Sequence, residues 1–366
     1  MDTQKSLSCV YPVRDKRIFK GDEKSPFLAP RGVFIHENLL LVADTGQNRV
    51  FIWKEFPKGT HQAADLVLGQ DEQHETGRNK NKFVTGASLQ YPSGIWSDGK
   101  RLVVADAWNH RVLIWHTFPT HNGQQADVVL GQPDFTSNEP NVYGLGKAPS
   151  AKSLYWCYGV FVHNEKLFIA DTGNRRVLVY HTLPKENYAA ADAVIGATSF
   201  TEKEYDPQSA IWPYSIKLSE QGEVAITDTQ YFRVLYWANV EDALHKSAAV
   251  VFGQPDLVSN GQNQYLLKPD AHTLNWCYDS QFFNGGLWIA DTGNSRLLWH
   301  PEIAKQNSAK ALQLIGHGDF VTGSENMETV LTTEHSLYWP FSLSCNQHEM
   351  AVADTGNHRI ILYKLI

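Results

Sequence analysis

Ala351-Val352-Ala353-Asp354-Thr355-Gly356-Asn357-His358-Arg359-Ile360 decides the fold, because the chain writes this segment six times. The other copies centre on Asp44, Asp106, Asp171, Asp228 and Asp291, and the aspartates are 62, 65, 57, 63 and 63 residues apart. An arginine follows each by five residues: Arg49, Arg111, Arg176, Arg233, Arg296 and Arg359. Two further marks keep the same phase. Gly69, Gly131, Gly196, Gly253 and Gly316 each stand 25 residues after their aspartate and end a short apolar run. Before the aspartates come Tyr91-Pro92, Trp156-Cys157, Trp212-Pro213, Trp276-Cys277 and Trp339-Pro340, with Ala29-Pro30 in the first unit.

Each unit yields four short runs rich in β-branched and aromatic residues, bounded by turn residues. Name them a to d. Strand a follows the Trp-Pro mark, b ends at the aspartate, c starts at the arginine and d ends at the glycine. An isolated four-stranded sheet cannot bury its two apolar faces, whereas sheets stacked around an axis bury both. The fold expected is therefore all-β, a six-bladed β-propeller forming one domain over residues 1–366. The last repeat runs out of chain before its strand d, so the N-terminal segment within 7–21 must complete blade 6, through either Ser8 to Val13 or Arg17 to Gly21. Aspartate and arginine face each other across each b–c hairpin and read as a repeated scaffold pair.

These residues resemble the NHL repeat, whose core reads much like Val-Ala-Asp-Thr-Gly-Asn-His-Arg-Val; Asp354 to Ile360 is nearly an ideal copy, and the resemblance covers residues 26 to 366. It implies a six-bladed propeller. It implies little about activity, since such propellers include protein- and RNA-binding modules, metal-carrying amidating lyases and sensor domains. The present repeats are longer than the ~40–50 residues typical of propeller blades. The excess lies in the c–d connections and in d–a loops such as Gln132 to Tyr155 and Gln254 to Asn275, which places extra chain at one mouth of the central channel.

Composition narrows the classes of partner. With net charge −7 and pI ≈ 6.1, binding through nucleic-acid phosphates has no support, nor has an anionic membrane surface. The start of the chain lacks an apolar secretory segment, and no run approaches the ~18 apolar residues of a membrane span. The expectation is a cytoplasmic monomer that binds a small molecule or a protein. Cys9, Cys157, Cys277 and Cys345 are too scattered for a disulfide framework, and no Gly-x-Ser-x-Gly, phosphate-loop, His-Glu-x-x-His or dinucleotide fingerprint occurs.

Two sets of candidates remain at the mouth. Blades 2 and 4 break the hairpin motif with Trp108 and with Gln230-Tyr231. Trp108, Tyr231 and the tyrosines after the cysteines, Tyr158 and Tyr278, form an expected ligand-binding set; the competing reading packs the hairpin aromatics under the long loops. Cys157 and Cys277 replace proline in blades 3 and 5. Two thiols converging on the axis, with Asp279 and with His272 or His335, would suit a metal ion (Zn, Cu or Ca) and a metal-dependent enzyme or metal-handling protein. Against this, cysteine is a small buried hydrophobe, and a loop histidine commonly serves a hydrogen bond.

Overall fold

A computed structural model describes residues 13–202, 204, 206–303 and 305–365; Cys9 and residues 7–12 of the expected closing segment lie outside them. Six four-stranded antiparallel sheets are present. In blade 1 the strands are Gly32–His36, Leu39–Asp44, Arg49–Trp53 and Leu66–Leu68. The innermost strands pack one against the next around the ring, and the first touches the last. Leucine, isoleucine and valine from facing sheets fill the layers between blades. One α-helix, Val240–His245, occurs among the described residues; none is long and apolar enough to cross a membrane.

Blade 6 takes its outer strand from the N-terminal region, at Val13–Phe19, within the expected 7–21 segment and overlapping both alternatives, at Val13 and at Arg17 to Phe19. Phe19 pairs with Ile360 and Lys16 with Tyr363. The strand stops at Phe19, two residues short of Gly21, because the Phe19 ring locks into the blade 6–blade 1 layer against Phe27 and Trp53.

The repeated aspartate–arginine pair is the hub of each blade. All six arginines meet their aspartates at 2.6–2.8 Å with both side chains essentially buried. Each guanidinium also donates to loop carbonyls: Arg111 to Phe135 in its own d–a loop and to Thr85 and Ser88 in the preceding one. The pair is thus scaffold, as its sixfold repetition suggested.

The hairpin asparagine does a second job. Asn109, Asn174, Asn294 and Asn357 each form a reciprocal amide pair with an asparagine of the preceding d–a loop: Asn79, Asn141, Asn263 and Asn326. The loop asparagines also donate their backbone N–H to Leu89, Leu154, Leu274 and Leu337. Blades 1 and 4 carry Gln47 and Tyr231 instead, and the segments before them contain no matching clamp asparagine. The c–d connections are accounted for as well. Asn122, Asn187 and Asn307 accept the strand-d amides of Val67, Val129 and Val251 in the preceding blade. The extra chain there covers sheet edges, which otherwise expose unpaired amides and carbonyls.

Candidate ligand-binding site at the channel mouth

Close approach of the six innermost strands dictates small residues along the axis. A Cβ on Gly32 would collide with the Ser93 carbonyl oxygen, and one on Gly94 or Gly159 would lie 2.7 or 2.6 Å from the Tyr158 or Tyr214 oxygen. Small residues hold five of the six axial positions and Asp279 the sixth, and the residue before each lines the mouth: Arg31, Ser93, Tyr158, Tyr214, Tyr278 and Phe341. Tyr158 stacks on Tyr214 at 4.6 Å, Tyr214 meets Tyr278 edge-on at 4.6 Å, and Tyr278 lies 4.1 Å from Phe341. Tyr91 joins the collar and stacks on Trp108 at 4.5 Å.

Arg31 closes the ring. Its guanidinium lies 4.2 Å from the centroid of Phe341 and 5.1 Å from that of Tyr91, within cation–π range. No carboxylate pairs with it among the described residues; the groups acting on it are Tyr214, Tyr91 and Tyr278. The Tyr214 hydroxyl is buried and faces Arg31 and Ser93 in a geometry short of a conventional hydrogen bond. Burial first, and the neighbouring phenols second, push Tyr91, Tyr158 and Tyr278 up, Tyr278 to about 12. Burial also raises Tyr214, although Arg31 opposes it. At neutral pH the collar therefore offers one cation and neutral phenol donors. The free volume inside it is only ≈ 30 Å³, room for about two waters, so a ligand body must sit above the collar.

Trp108, Tyr158 and Tyr278 are thus brought together, with Trp108 42% exposed at the rim. Tyr231 is not. It is buried, with the Arg233 guanidinium 4.7 Å from its ring centroid, so the packing alternative holds for that hairpin. Arg31, Tyr91, Tyr214 and Phe341 escaped sequence reading. The signal for Arg31, Tyr214 and Phe341 was the column of residues directly after the Pro or Cys mark, which reads Arg, Ser, Tyr, Tyr, Tyr, Phe around the ring, whereas Tyr91 is the aromatic of the Tyr91-Pro92 mark itself.

The proposed metal ligands do not converge. Cys157 and Cys277 enter separate hydrophobic layers, where their thiols donate to the carbonyls of Arg111 (3.2 Å) and Arg233 (3.4 Å) in the preceding blades. Burial holds both thiols well above the ordinary range. The two anomalies seen in sequence are linked. At the other four junctions a hairpin threonine donates to the next blade's proline carbonyl, as Thr45 does to Pro92 and Thr355 to Pro30. Blade 2 has Ala107 in place of that threonine, and the blade 4 threonine, Thr229, has its hydroxyl unpartnered; those junctions use the cysteine. Asp279 is satisfied by Ser342, the Leu343 amide and, at 3.6 Å, Lys217. His272 bonds the Ser308 carbonyl in a c–d connection, and His335 meets Lys16 of the outermost strand, so both are held by the outer part of the ring. No group of three or more His, Cys, Asp or Glu among the described residues is placed to hold a metal ion.

No protein-family model and no curated protein matches the chain. Among solved structures it is similar to a streptogramin B lyase (12% identity, 96% of this chain and 98% of that one, TM-score 0.48). It is also similar to the WD40 β-propeller domain of Doa1 (8% identity, 96% of each chain, TM-score 0.49).

Proposed function

We propose that this NHL-like propeller is a binding module that takes an anionic small molecule at the channel mouth, its acid group on Arg31 and its apolar body against Tyr91, Trp108 and Tyr158. The observation that carries this is a half-buried guanidinium with aromatic and phenolic neighbours and no carboxylate among the described residues. Arginine presents five N–H donors in a fork that fits carboxylate or phosphate, and a partly desolvated charge favours a counter-ion. Exposed Trp108 supplies the stacking surface common in such sites. The free thiols of Cys157, Cys277 and Cys345 suit a reducing cytoplasm.

The test is a titration of tryptophan fluorescence with a panel of aromatic carboxylates, aliphatic carboxylates and inorganic phosphate at fixed ionic strength. Saturable quenching by at least one acid is expected, weakened by at least ~10-fold in Arg31→Met, the equivalent of about 1.4 kcal/mol. Equal binding by Arg31→Met, or no saturable binding to any acid, removes the proposal.

A further inference from the structure

Aligned on the clamp asparagines, four d–a loops share a feature that the channel does not use. Four residues after Asn79, Asn141, Asn263 and Asn326 stand Phe83, Leu145, Leu267 and Val330, which are 92%, 74%, 105% and 99% exposed. Single exposed apolar residues need no explanation. Four in one register do, because each loop is pinned by the same asparagine pair and the same backbone bond. The positions are thus related by the pseudo-sixfold axis. The two segments without a clamp asparagine, the loop after blade 3 and the chain leading from blade 6 into blade 1, lie diametrically opposite each other.

Charge follows the same geometry. The blade 1 loop reads Arg78-Asn79-Lys80-Asn81-Lys82-Phe83, and the blade 5 loop reads Glu325-Asn326-Met327-Glu328-Thr329-Val330. The blade 2 and blade 4 loops, Pro140 to Leu145 and Gln262 to Leu267, are uncharged over the same register. Lys80 is engaged by Asp71 at 2.6 Å, whereas Arg78, Lys82, Glu325 and Glu328 are exposed. A two-fold axis lying in the plane of this face, through the two clampless segments, exchanges the blade 1 loop with the blade 5 loop and the blade 2 loop with the blade 4 loop. It would bring basic onto acidic twice and neutral apolar onto neutral apolar twice. That is the self-complementarity an isologous interface requires.

We infer that the loop-rich face is a self-association surface, on which a second copy of this chain seats face to face across that axis. Phe83 then meets Val330 of the other copy and Leu145 meets its Leu267, with Arg78 and Lys82 against Glu325 and Glu328 at both ends. A bilayer would accept the apolar tips and the nearby Lys82, Lys147 and Lys268, but an anionic surface would repel Glu325 and Glu328. The second copy uses Arg78 and Lys82 together with Glu325 and Glu328. The inference does not depend on the reading of Arg31.

Sedimentation equilibrium of the full chain tests it. The wild type is expected to dimerise in the micromolar range, more weakly as salt rises. Arg78→Glu/Lys82→Glu and Glu325→Lys/Glu328→Lys should each weaken the dimer by at least ~10-fold through like-charge contacts. An equimolar mixture of the two variants should recover association as a heterodimer, because each supplies the charge the other now needs. Thermal melting of each variant verifies that it is folded, and acid titration at concentrations well below the dimerisation range distinguishes this inference from the channel reading, since there the loop variants should bind as the monomeric wild type does. A wild type that stays monomeric, a dimer indifferent to both swaps, or swapped variants that fail to complement would overturn the inference. So would a monomer that sediments with anionic vesicles.

Discussion

Arg176 and Arg31 set the same side chain in opposite circumstances. Arg176 is enclosed, its fork divided between Asp171 and the carbonyls of Phe200, Ser150 and Ser153. Arg31 lies on aromatic faces without a carboxylate among the described residues. Five other arginines repeat the first arrangement, and among the described residues none repeats the second. The difference teaches that a repeat protein separates its scaffold from its site by what is copied: a group present in every blade is spent on holding the blades, and a group present once is free for something else.

The comparison breaks most violently at the scaffold. Arg176→Met leaves Asp171 buried without its cation and should cost about 3–5 kcal/mol, read as a collapse of the denaturation midpoint. Arg31→Met should move that midpoint by less than about 1 kcal/mol while abolishing acid binding; comparable losses from both substitutions would erase the distinction.

Buried histidines provide the next largest effect. Burial pushes His110 and His300 down to about 4 from 6.5, His300 helped by His272. The folded chain therefore keeps them neutral while the unfolded chain takes up protons. Their contribution is full above pH 6.5 and is lost as pH falls from 6.5 to 4, on the order of 3 kcal/mol for each. Melting temperature should fall across that window, and His110→Asn/His300→Phe should flatten the decline; an unchanged slope counts against it.

Gly32→Ala forces a methyl onto the Ser93 carbonyl oxygen and should cost about 2 kcal/mol by overpacking. Gly222→Ala, in open space but at φ +88°, should cost about 1 kcal/mol. Their order under chemical denaturation checks whether axial crowding outweighs turn strain. The smallest effect is expected at the blade 2–blade 3 junction. Cys157→Pro loses the thiol bond to Arg111, about 1 kcal/mol, and adding Ala107→Thr should restore most of it by recreating the threonine–proline tie. A double variant no better than the single one would show that the thiol is not standing in for that tie.

The ring of blades was legible because spacing and turn chemistry repeat in phase, and Asp354 to Arg359 carries both. The end of the closing strand was not, since Phe19 rather than Gly21 sets it through packing that no repeat position encodes. At the site, Trp108 stood out because it breaks the hairpin motif, and Tyr158 and Tyr278 because they follow the two cysteines. Arg31 did not, because its meaning depends on five other strands converging at one axis. Cys157 and Cys277 misled for the converse reason. Their pairing across blades 3 and 5 was real, but it coincides with the two junctions that lack the threonine–proline tie, at Ala107 and at the unpartnered Thr229, rather than with a shared ligand.

The strand supplied by Val13–Phe19 has a consequence for biosynthesis. It is made before every other strand of the ring, yet its pairing partner, Arg359–Leu365, is translated roughly 340 residues later. At ~5–20 residues per second the ribosome needs on the order of 20–70 s to deliver it. Throughout that interval the last blade cannot exist, and the nascent chain carries an unsatisfied β-segment that chaperones would have reason to shield.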